Sequence, residues 1–332
     1  MTFDCDRPQI TAVVPTGSGA LVFHRQLADL LRGYDVLDYP PAWERTPWNL
    51  TRLRARAGRI VHMSPDHAAF ATPSGSALVA TFLNYVLDAG MRAHSSLAQR
   101  MHYLTDLRLF TRLGLRRATV VTAVSHATAQ IVRDDLNYSG TIHVIPNSVD
   151  SGRFHPADES RPSRHRRVLF CATPSRRKGF HWLDAIAEGV SDLAELACAT
   201  GSRVSLEGTG GRLVLLGAIQ PENLPKLYRS ADVFVLPSIR EGMSLAQLEA
   251  MASGLPVVAW RVPSSIELLG DIQNEFLADL GDVDGFIERV RWLLCNPERS
   301  RQIGARNRAL MVSSHQPATM AEAYSKIFSE VS

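Results

Sequence analysis

Short apolar runs rich in Val, Ile, Leu and Ala recur along this chain, bounded by Gly, Pro, Ser, Asn or Asp and alternating with stretches of helical spacing. Such runs read as buried strands, and their alternation with helices predicts doubly wound α/β sheets. A first series of strands is expected at residues 10–15, 34–39, 60–62, 78–82, 119–124 and 141–145. The turn Thr16-Gly17-Ser18-Gly19 follows the first strand and opens a helix through about Leu31. A Pro-rich, basic connector at 156–167 precedes a second series at 168–172, 196–199, 213–216, 233–236 and 257–260. Two similar α/β domains follow, residues 1–156 and 157–312, with a last segment, 313–332, in which Met320, Tyr324 and Phe328 form one apolar stripe of a terminal helix.

The length of 332 residues fits two domains, each large enough for its own core. A hydrophobic content of 45% is ordinary for a globular protein, and no apolar run approaches the ~20 residues of a membrane span. The start, MTFDCDRPQITAVVP, lacks a basic region followed by an apolar core, so no secretory signal is expected. Cys5, Cys171, Cys198 and Cys295 are scattered without metal-ligand spacing, which suggests reduced thiols in a cytoplasmic protein.

Charge is unevenly shared. Residues 1–156 carry 16 Lys+Arg against 12 Asp+Glu, a net of +4; the remainder carries 20 against 21, a net of −1. The basic residues of the first domain concentrate at 45–59, near Trp43 and Trp48, and at 92–117, among Met101, Tyr103, Leu104, Leu107, Leu109 and Phe110. A basic amphipathic surface suits an anionic bilayer or an anionic lipid-linked molecule, at the inner face of the membrane, but equally a solvated face. Neither segment resembles a nucleic-acid-binding module, and no nucleic acid is expected as a partner.

The most informative chemistry lies in FVLPSIREGMSLAQLEAMASGLPVVAW, which sets Glu241 and Glu249 eight positions apart across a loop-to-helix junction. The strand at 233–236 closes at Pro237-Ser238. Ser244 is the expected N-cap of a short helix with Leu245, Leu248 and Ala252 on its apolar side, ending at Gly254 before Pro256. Ligands of open α/β sheets lie outside the carboxyl ends of strands, and a helix start adds free N–H groups and partial positive charge suited to a phosphate. Glu241 would face whatever lies beyond the phosphate, and Glu249, roughly 12 Å further along at 1.5 Å per residue, would reach the other side. A nucleotide sugar, with a diphosphate between two hydroxylated rings, meets both requirements.

With these residues in place, the chain resembles the retaining glycosyltransferases of family 4, which share the GT-B fold and a signature of two Glu separated by seven residues after a Pro-Ser. The match EGMSLAQLEAMASGLPVVA is long and specific. Other segments agree in order along almost the whole chain: the first loop and helix from Pro15, AVSHATAQIVRDDL from Ala123, VIPNSVDSGRFHP from Val144, Arg177-Lys178-Gly179, and GAIQPENLPKLYRSADVFVLPS from Gly217. The resemblance implies two Rossmann-like domains facing a central cleft, with a C-terminal helix crossing back to the first. Relative to the family, a helix is missing after Ala199-Thr200-Gly201.

Transfer from a nucleotide sugar builds negative charge on the leaving diphosphate, so the site chiefly needs cations and N–H donors aimed there. Lys178 is the leading candidate, joined by Arg176 or Arg177. The amides of Gly242, Met243, Ser244 and Leu245, with the turn at Gly17 and Gly19, would complete the cradle. Glu241 would position the transferred sugar and Glu249 hold the ribose, with Ser238 and Thr173 lining the donor side. Thr173 stands where a basic residue is common in the family. The acceptor, a glycan or lipid-linked glycan, would meet the first domain near His62, His67 or Asn84, the last standing where the family often has a His.

No metal or other cofactor is expected. Asp282-Val283-Asp284 lies at a helix start, where Asp serves as a cap, and GTGG from Gly208 lacks the Lys-Ser/Thr of a P-loop. Two alternatives stay open: a nucleotide-sugar epimerase or hydrolase of the same fold, although that enzyme lacks this signature, and a degenerate binding partner without turnover.

Overall fold

The computed structural model describes residues 9–92, 101, 103–157, 166–200 and 213–332. They form two compact units, one holding the chain up to Asn147 together with Pro317–Ser332, the other Ser148–Gln316. In the first unit β1 (Ile10–Pro15), β2 (Tyr34–Tyr39), β3 (Ile60–Met63), β4 (Ala77–Phe82), β5 (Val120–Ala123) and β6 (His143–Val144) pair in the order β2-β1-β3-β4-β5-β6. In the second, β7 (Arg166–Cys171), β8 (Ala194–Ala199), β9 (Leu213–Gly217), β10 (Val233–Leu236), β11 (Val257–Trp260) and β12 (Leu277–Ala278) pair in the order β12-β11-β10-β7-β8-β9. All pairs are parallel, so both units are doubly wound, Rossmann-like sheets with helical crossovers.

Alternate residues of the strands feed opposite faces of the second sheet. Val168, Phe170, Val235 and Trp260 pack with the helices Leu183–Val190 and Val283–Cys295, while Leu169, Phe234, Leu236 and Ala259 pack with Leu224–Arg229 and Leu245–Ala252. Because both faces are covered, β10 and β11 are buried along their whole length. Such strands show no alternation of polar and apolar residues. The expected strand at 141–145 narrows to the two residues of β6, followed by Pro146, which has no N–H to give a ladder. β12, also two residues, was not expected, since so short a run carries no readable period. The segment 201–212, on which the missing helix and the GTGG turn fall, lies outside the described residues, as do Cys5 and most of the connector.

The unit boundaries fall at 147/148 and 316/317, nine residues before and four after those read from the sequence. Side-chain packing sets both. Val149 and Phe154 enter the core of the second unit, where the Phe154 ring lies 5.7 Å from that of Tyr228. Arg308 ties the same stretch down by donating to the carbonyls of Phe154 and Ser151. Gln316 Nε2 donates to Ser151 Oγ at 2.9 Å. The helix Pro317–Glu330 belongs to the first unit, and its Met320, Tyr324 and Phe328 stripe packs on Ile10, Ala12, Phe23 and Tyr34.

A buried polar chain runs beneath that helix. His24 Nδ1 lies 2.6 Å from Tyr34 Oη, which lies 2.7 Å from His62 Nδ1; His62 Nε2 reaches Thr81 Oγ1 at 2.7 Å, Thr81 reaches Thr122 at 2.6 Å, and Thr122 reaches Tyr324 Oη at 3.3 Å. Burial favours the neutral imidazoles: it pulls His24 down to about 3 and His62 well below its ordinary value, with His24 adding to the latter. An unfolded histidine takes up a proton near pH 6.5, whereas these two stay neutral when folded. The unfolded state therefore binds more protons below that pH. Their contribution is complete above pH 6.5 and is lost as pH falls toward 3. Stability of the first unit should drop by about 1.4 kcal/mol per pH unit for each histidine below pH 6.5, and His24→Leu should flatten that slope. Urea unfolding between pH 7.5 and 5 checks this; parallel slopes for wild type and variant would contradict it.

Candidate active site

In local order within the second unit, β7 is the first strand and β10 the fourth, and they are neighbours at the centre of its sheet. Chain direction reverses there in sheet order, and the helices that follow β7 and β10 cover opposite faces, the arrangement in which open α/β sheets take ligands at the strands' carboxyl ends. Arg176, Arg177 and Lys178 lie in the loop after β7 and Ser238 to Ser244 in that after β10.

The two loops are tied together. Ile239 N–H donates to Arg177 O at 2.8 Å, and Arg177 Nη1 donates to Arg240 O at 2.9 Å. Gly179 permits this contact: its φ is +77°, and a Cβ there would stand 1.8 Å from Pro237 O. No other residue type fits that space. Closure brings Lys178 Nζ to 2.6 Å from Glu241 Oε1, with Arg177 Nη1 at 3.7 Å from the same oxygen. Glu241 is buried, with 8% of its side chain exposed. Burial alone would raise its pKa, but Lys178 and then Arg177 outweigh that and hold the carboxyl below its usual range. Glu241 is therefore an ionised, oriented carboxylate. Of the two arginines considered, Arg177 meets it; Arg176 is exposed and makes no ion pair among the described residues, as does Thr173.

Beyond Glu241, Gly242, Met243 and Ser244 lead into the helix Leu245–Ala252. Ser244 occupies the N-cap position, yet its hydroxyl makes no capping bond, so the first-turn amides are not claimed by the side chain expected to cap them. The helix stops at Gly254, whose φ of +76° and N–H bond to Met251 O end it ahead of Pro256. About one turn along this helix, Glu249 is half-buried and accepts from Tyr228 Oη at 2.7 Å. Burial pushes Glu249 up to about 7, opposed by the Tyr228 hydrogen bond and the Arg153 charge. The two carboxylates of the signature are thus shifted in opposite directions. Tyr228 and Arg153 were not singled out in the sequence; an apolar-looking Tyr at helical spacing is indistinguishable there from ordinary core.

The remaining candidates lie in the first unit. Gly17 has φ +75° and open space around it, as has Gly19 at the start of the helix Gly19–Leu30, which Ser18 caps through Leu21 N–H. Asn84 is half-buried just after β4, its Oδ1 accepting from Tyr85 N–H at 2.8 Å. His62 is not an acceptor-facing residue: it is fully buried in β3, both ring nitrogens engaged, with its ring 4.9 Å from that of Tyr324. His67 is buried in the helix Pro65–Ala71, its ring 6.4 Å from Phe110. His62 lies beneath the terminal helix, and His67 is packed toward Phe110 of the helix Arg108–Arg117. Asp282 caps its helix by accepting from Gly285 N–H at 3.0 Å.

Two doubly wound, Rossmann-like units, the second with a paired lysine and glutamate at its switch point, place the chain among two-domain α/β proteins of GT-B type. Residues 8–153 match the model described as Glycosyltransferase Family 4, and residues 165–296 match that of Glycosyl transferases group 1. The chain belongs to the group 1 glycosyltransferases of this family-4-like, GT-B type. A curated relative, the MMP alpha-(1->4)-mannosyltransferase of Mycolicibacterium hassiacum, is 32% identical over 217 residues, 60% of this chain and 52% of that protein. The chain thus spans about half the length of that relative. Among solved structures, sucrose-phosphate synthase from Thermosynechococcus elongatus superposes with a TM-score of 0.81 at 18% identity, covering 97% of this chain and 98% of that one. Anabaena HepE in complex with UDP-glucose gives 0.76 at 16% identity, over 96% and 99%.

The loop contact makes its own prediction. Gly17→Ala should cost about 1–2 kcal/mol, the penalty of positive φ alone. Gly179→Ala should cost distinctly more, because the Pro237 carbonyl blocks the new methyl group. Chemical denaturation of both variants measures the difference, and equal losses would contradict the closely packed loops.

Proposed function

We propose that this chain is a retaining glycosyltransferase that moves a hexose-type sugar from a nucleotide diphosphate sugar to a glycan or lipid-linked acceptor, in surface polysaccharide or glycoconjugate synthesis. The observation that carries this is the buried Lys178–Glu241 pair at the switch point, beside the open first turn of Leu245–Ala252. A pair of this kind adds little to stability, since its desolvation cost offsets its attraction, so its presence favours a chemical role. Supporting it, the Anabaena neighbour is described in complex with UDP-glucose.

In this reading the diphosphate lies against the amides of Gly242 to Leu245, and Lys178 and Arg177 neutralise the charge that grows as the sugar–phosphate bond breaks. Glu241, kept ionised and aimed by Lys178, accepts hydroxyl hydrogen bonds from the transferred sugar. The acceptor hydroxyl attacks the anomeric carbon from the face the phosphate leaves, and its proton passes to the leaving phosphate oxygen. One glycosidic bond replaces one sugar–phosphate bond, configuration is retained, and no protein nucleophile or metal takes part. Glu249 holds the ribose.

Glu241→Gln and Lys178→Ala should each lower kcat about 10²–10³-fold with a defined donor, while Glu249→Gln should act mainly on donor KM. Wild-type turnover in Glu241→Gln and Glu249→Gln would defeat the assignment. Incubation with donor alone separates the epimerase reading, which requires free sugar and epimerised product without any acceptor.

A peripheral site at the inner face of an anionic membrane, in the cytoplasm, is part of the same proposal. The helix Arg108–Arg117 buries Thr111, Gly114 and Leu115 and exposes Leu109, Arg112, Leu113 and Arg116, at spacings of three and four. Gly114 is pressed against Pro65, where a Cβ would lie 2.0 Å from the carbonyl oxygen, so the exposed stripe is firmly presented. Leu109 is 54% and Leu113 38% exposed. On the 3-10 helix Pro47–Arg56, Trp48 is 60% exposed beside the exposed Arg52 and Arg56. Interfacial arginines contribute about 1 kcal/mol each near an anionic surface. Sedimentation with phosphatidylserine vesicles should therefore fall at least about tenfold in Arg112→Glu/Arg116→Glu. Equal binding to neutral vesicles, or none to anionic ones, would remove this part.

A further inference from the structure

We propose that Tyr228 is the positioning residue of the donor site: its buried hydroxyl fixes one carboxylate oxygen of Glu249, presents the other to the nucleotide, and so ties donor affinity to pH. This rests on the reading that Glu249 holds the ribose.

The geometry is specific. Tyr228 is fully buried in the helix Leu224–Arg229, and its ring is boxed by Phe154 at 5.7 Å and Phe234 at 6.0 Å. Its hydroxyl donates to Glu249 Oε2 at 2.7 Å and also meets the Cys171 thiol, at the carboxyl end of β7. Three elements, β7 and two helices, therefore meet at the Tyr228 hydroxyl. Its other oxygen has no hydrogen-bond partner among the described residues, and the side chain is only half-buried. An aromatic ring held on both sides cannot follow a wandering carboxylate, so the hydrogen bond sets where Glu249 points.

A neutral phenol at this position also decides how Glu249 titrates. A cation as close as Lys178 is to Glu241 would hold the acid ionised at any physiological pH. Here the groups that oppose burial are a phenol and the more distant charge of Arg153, while the nearby thiol of Cys171, which burial pushes up to about 11, is neutral. Burial wins, leaving Glu249 at about 7. An ionised carboxylate can accept from Tyr228 and from ribose hydroxyls together, whereas a protonated one surrenders acceptor capacity. Nucleotide binding thus favours the ionised form. Donor affinity should be full above pH 7, decline as pH falls through it, and binding near pH 7 should release a proton.

Removing the hydroxyl takes away the first group that lowers Glu249, so the affinity midpoint of Tyr228→Phe should move up by about one pH unit. UDP-glucose, GDP-mannose and ADP-glucose serve as probes, because their diphosphates do not titrate between pH 5.5 and 9. With whichever binds best, calorimetric titrations across that range are made for wild type, Tyr228→Phe, Glu249→Gln and the double variant. The expected result is an alkaline-shifted midpoint in Tyr228→Phe, a pH-independent weak affinity in Glu249→Gln, and no further effect of Tyr228→Phe in the double variant. Titration of wild type at pH 7 in two buffers of different ionisation enthalpy needs no variant and should show release of about half a proton. No proton release, an unmoved midpoint, or a loss of the same factor at every pH would overturn the positioning role. Wild-type affinity in Glu249→Gln, or failure of all three sugars to bind, would instead sink the donor reading beneath it.

Discussion

Burying a carboxylate is costly unless a cation is delivered to it, and the second unit is arranged around one such delivery. Glu241 and Lys178 are 63 positions apart in the chain and meet at 2.6 Å because β7 and β10 are adjacent strands whose following loops can touch. Gly179 is the point on which this depends. A side chain there would separate the Lys178 loop from Pro237, and with it the cation from the acid. The ion pair and the loop hydrogen bonds depend on one close approach.

The same few residues then give two carboxylates different characters. Glu241 has two cations at hand and stays ionised despite its burial. Glu249, eight positions later, has only a phenol and a remote guanidinium, and burial brings it to about 7. Environments that push like groups apart in this way are how a single site assigns separate roles to chemically identical side chains. In the proposed reaction one acid must never lose its charge while aligning a sugar, whereas the other need only accept hydrogen bonds from a ribose.

Most of the strands were legible because most are apolar runs closed by turn residues, and parallel strands covered on both faces leave that mark. The spacing of Glu241 and Glu249 and the Arg177-Lys178-Gly179 triplet pointed to two loops that the structure brings together within the second unit. What escaped was set by three-dimensional register. Arg176 and Arg177 are equivalent in sequence, and only the bond from Ile239 N–H to Arg177 O decides which one faces Glu241. His62 looked available because histidine is polar, but its strand is central and its ring is satisfied by Tyr34 and Thr81, 28 and 19 positions away. Tyr228 was invisible for a similar reason, its partner lying 21 positions further on. The boundary after Asn147 shifted because Val149 and Phe154 belong by packing, not by sequence, to the second core.

In the proposed reaction the carboxyl ends of β7 and β10 receive a diphosphate, with Glu241 beyond it toward the sugar and Glu249 toward the ribose. A crystal structure of the chain with an intact nucleotide sugar tests this most directly. The account predicts phosphate oxygens within hydrogen-bond distance of Lys178 Nζ and of the amides from Gly242 to Leu245, with hydroxyls of the two rings on the two carboxylates. A nucleotide sugar bound elsewhere, with solvent against the helix start, would contradict it.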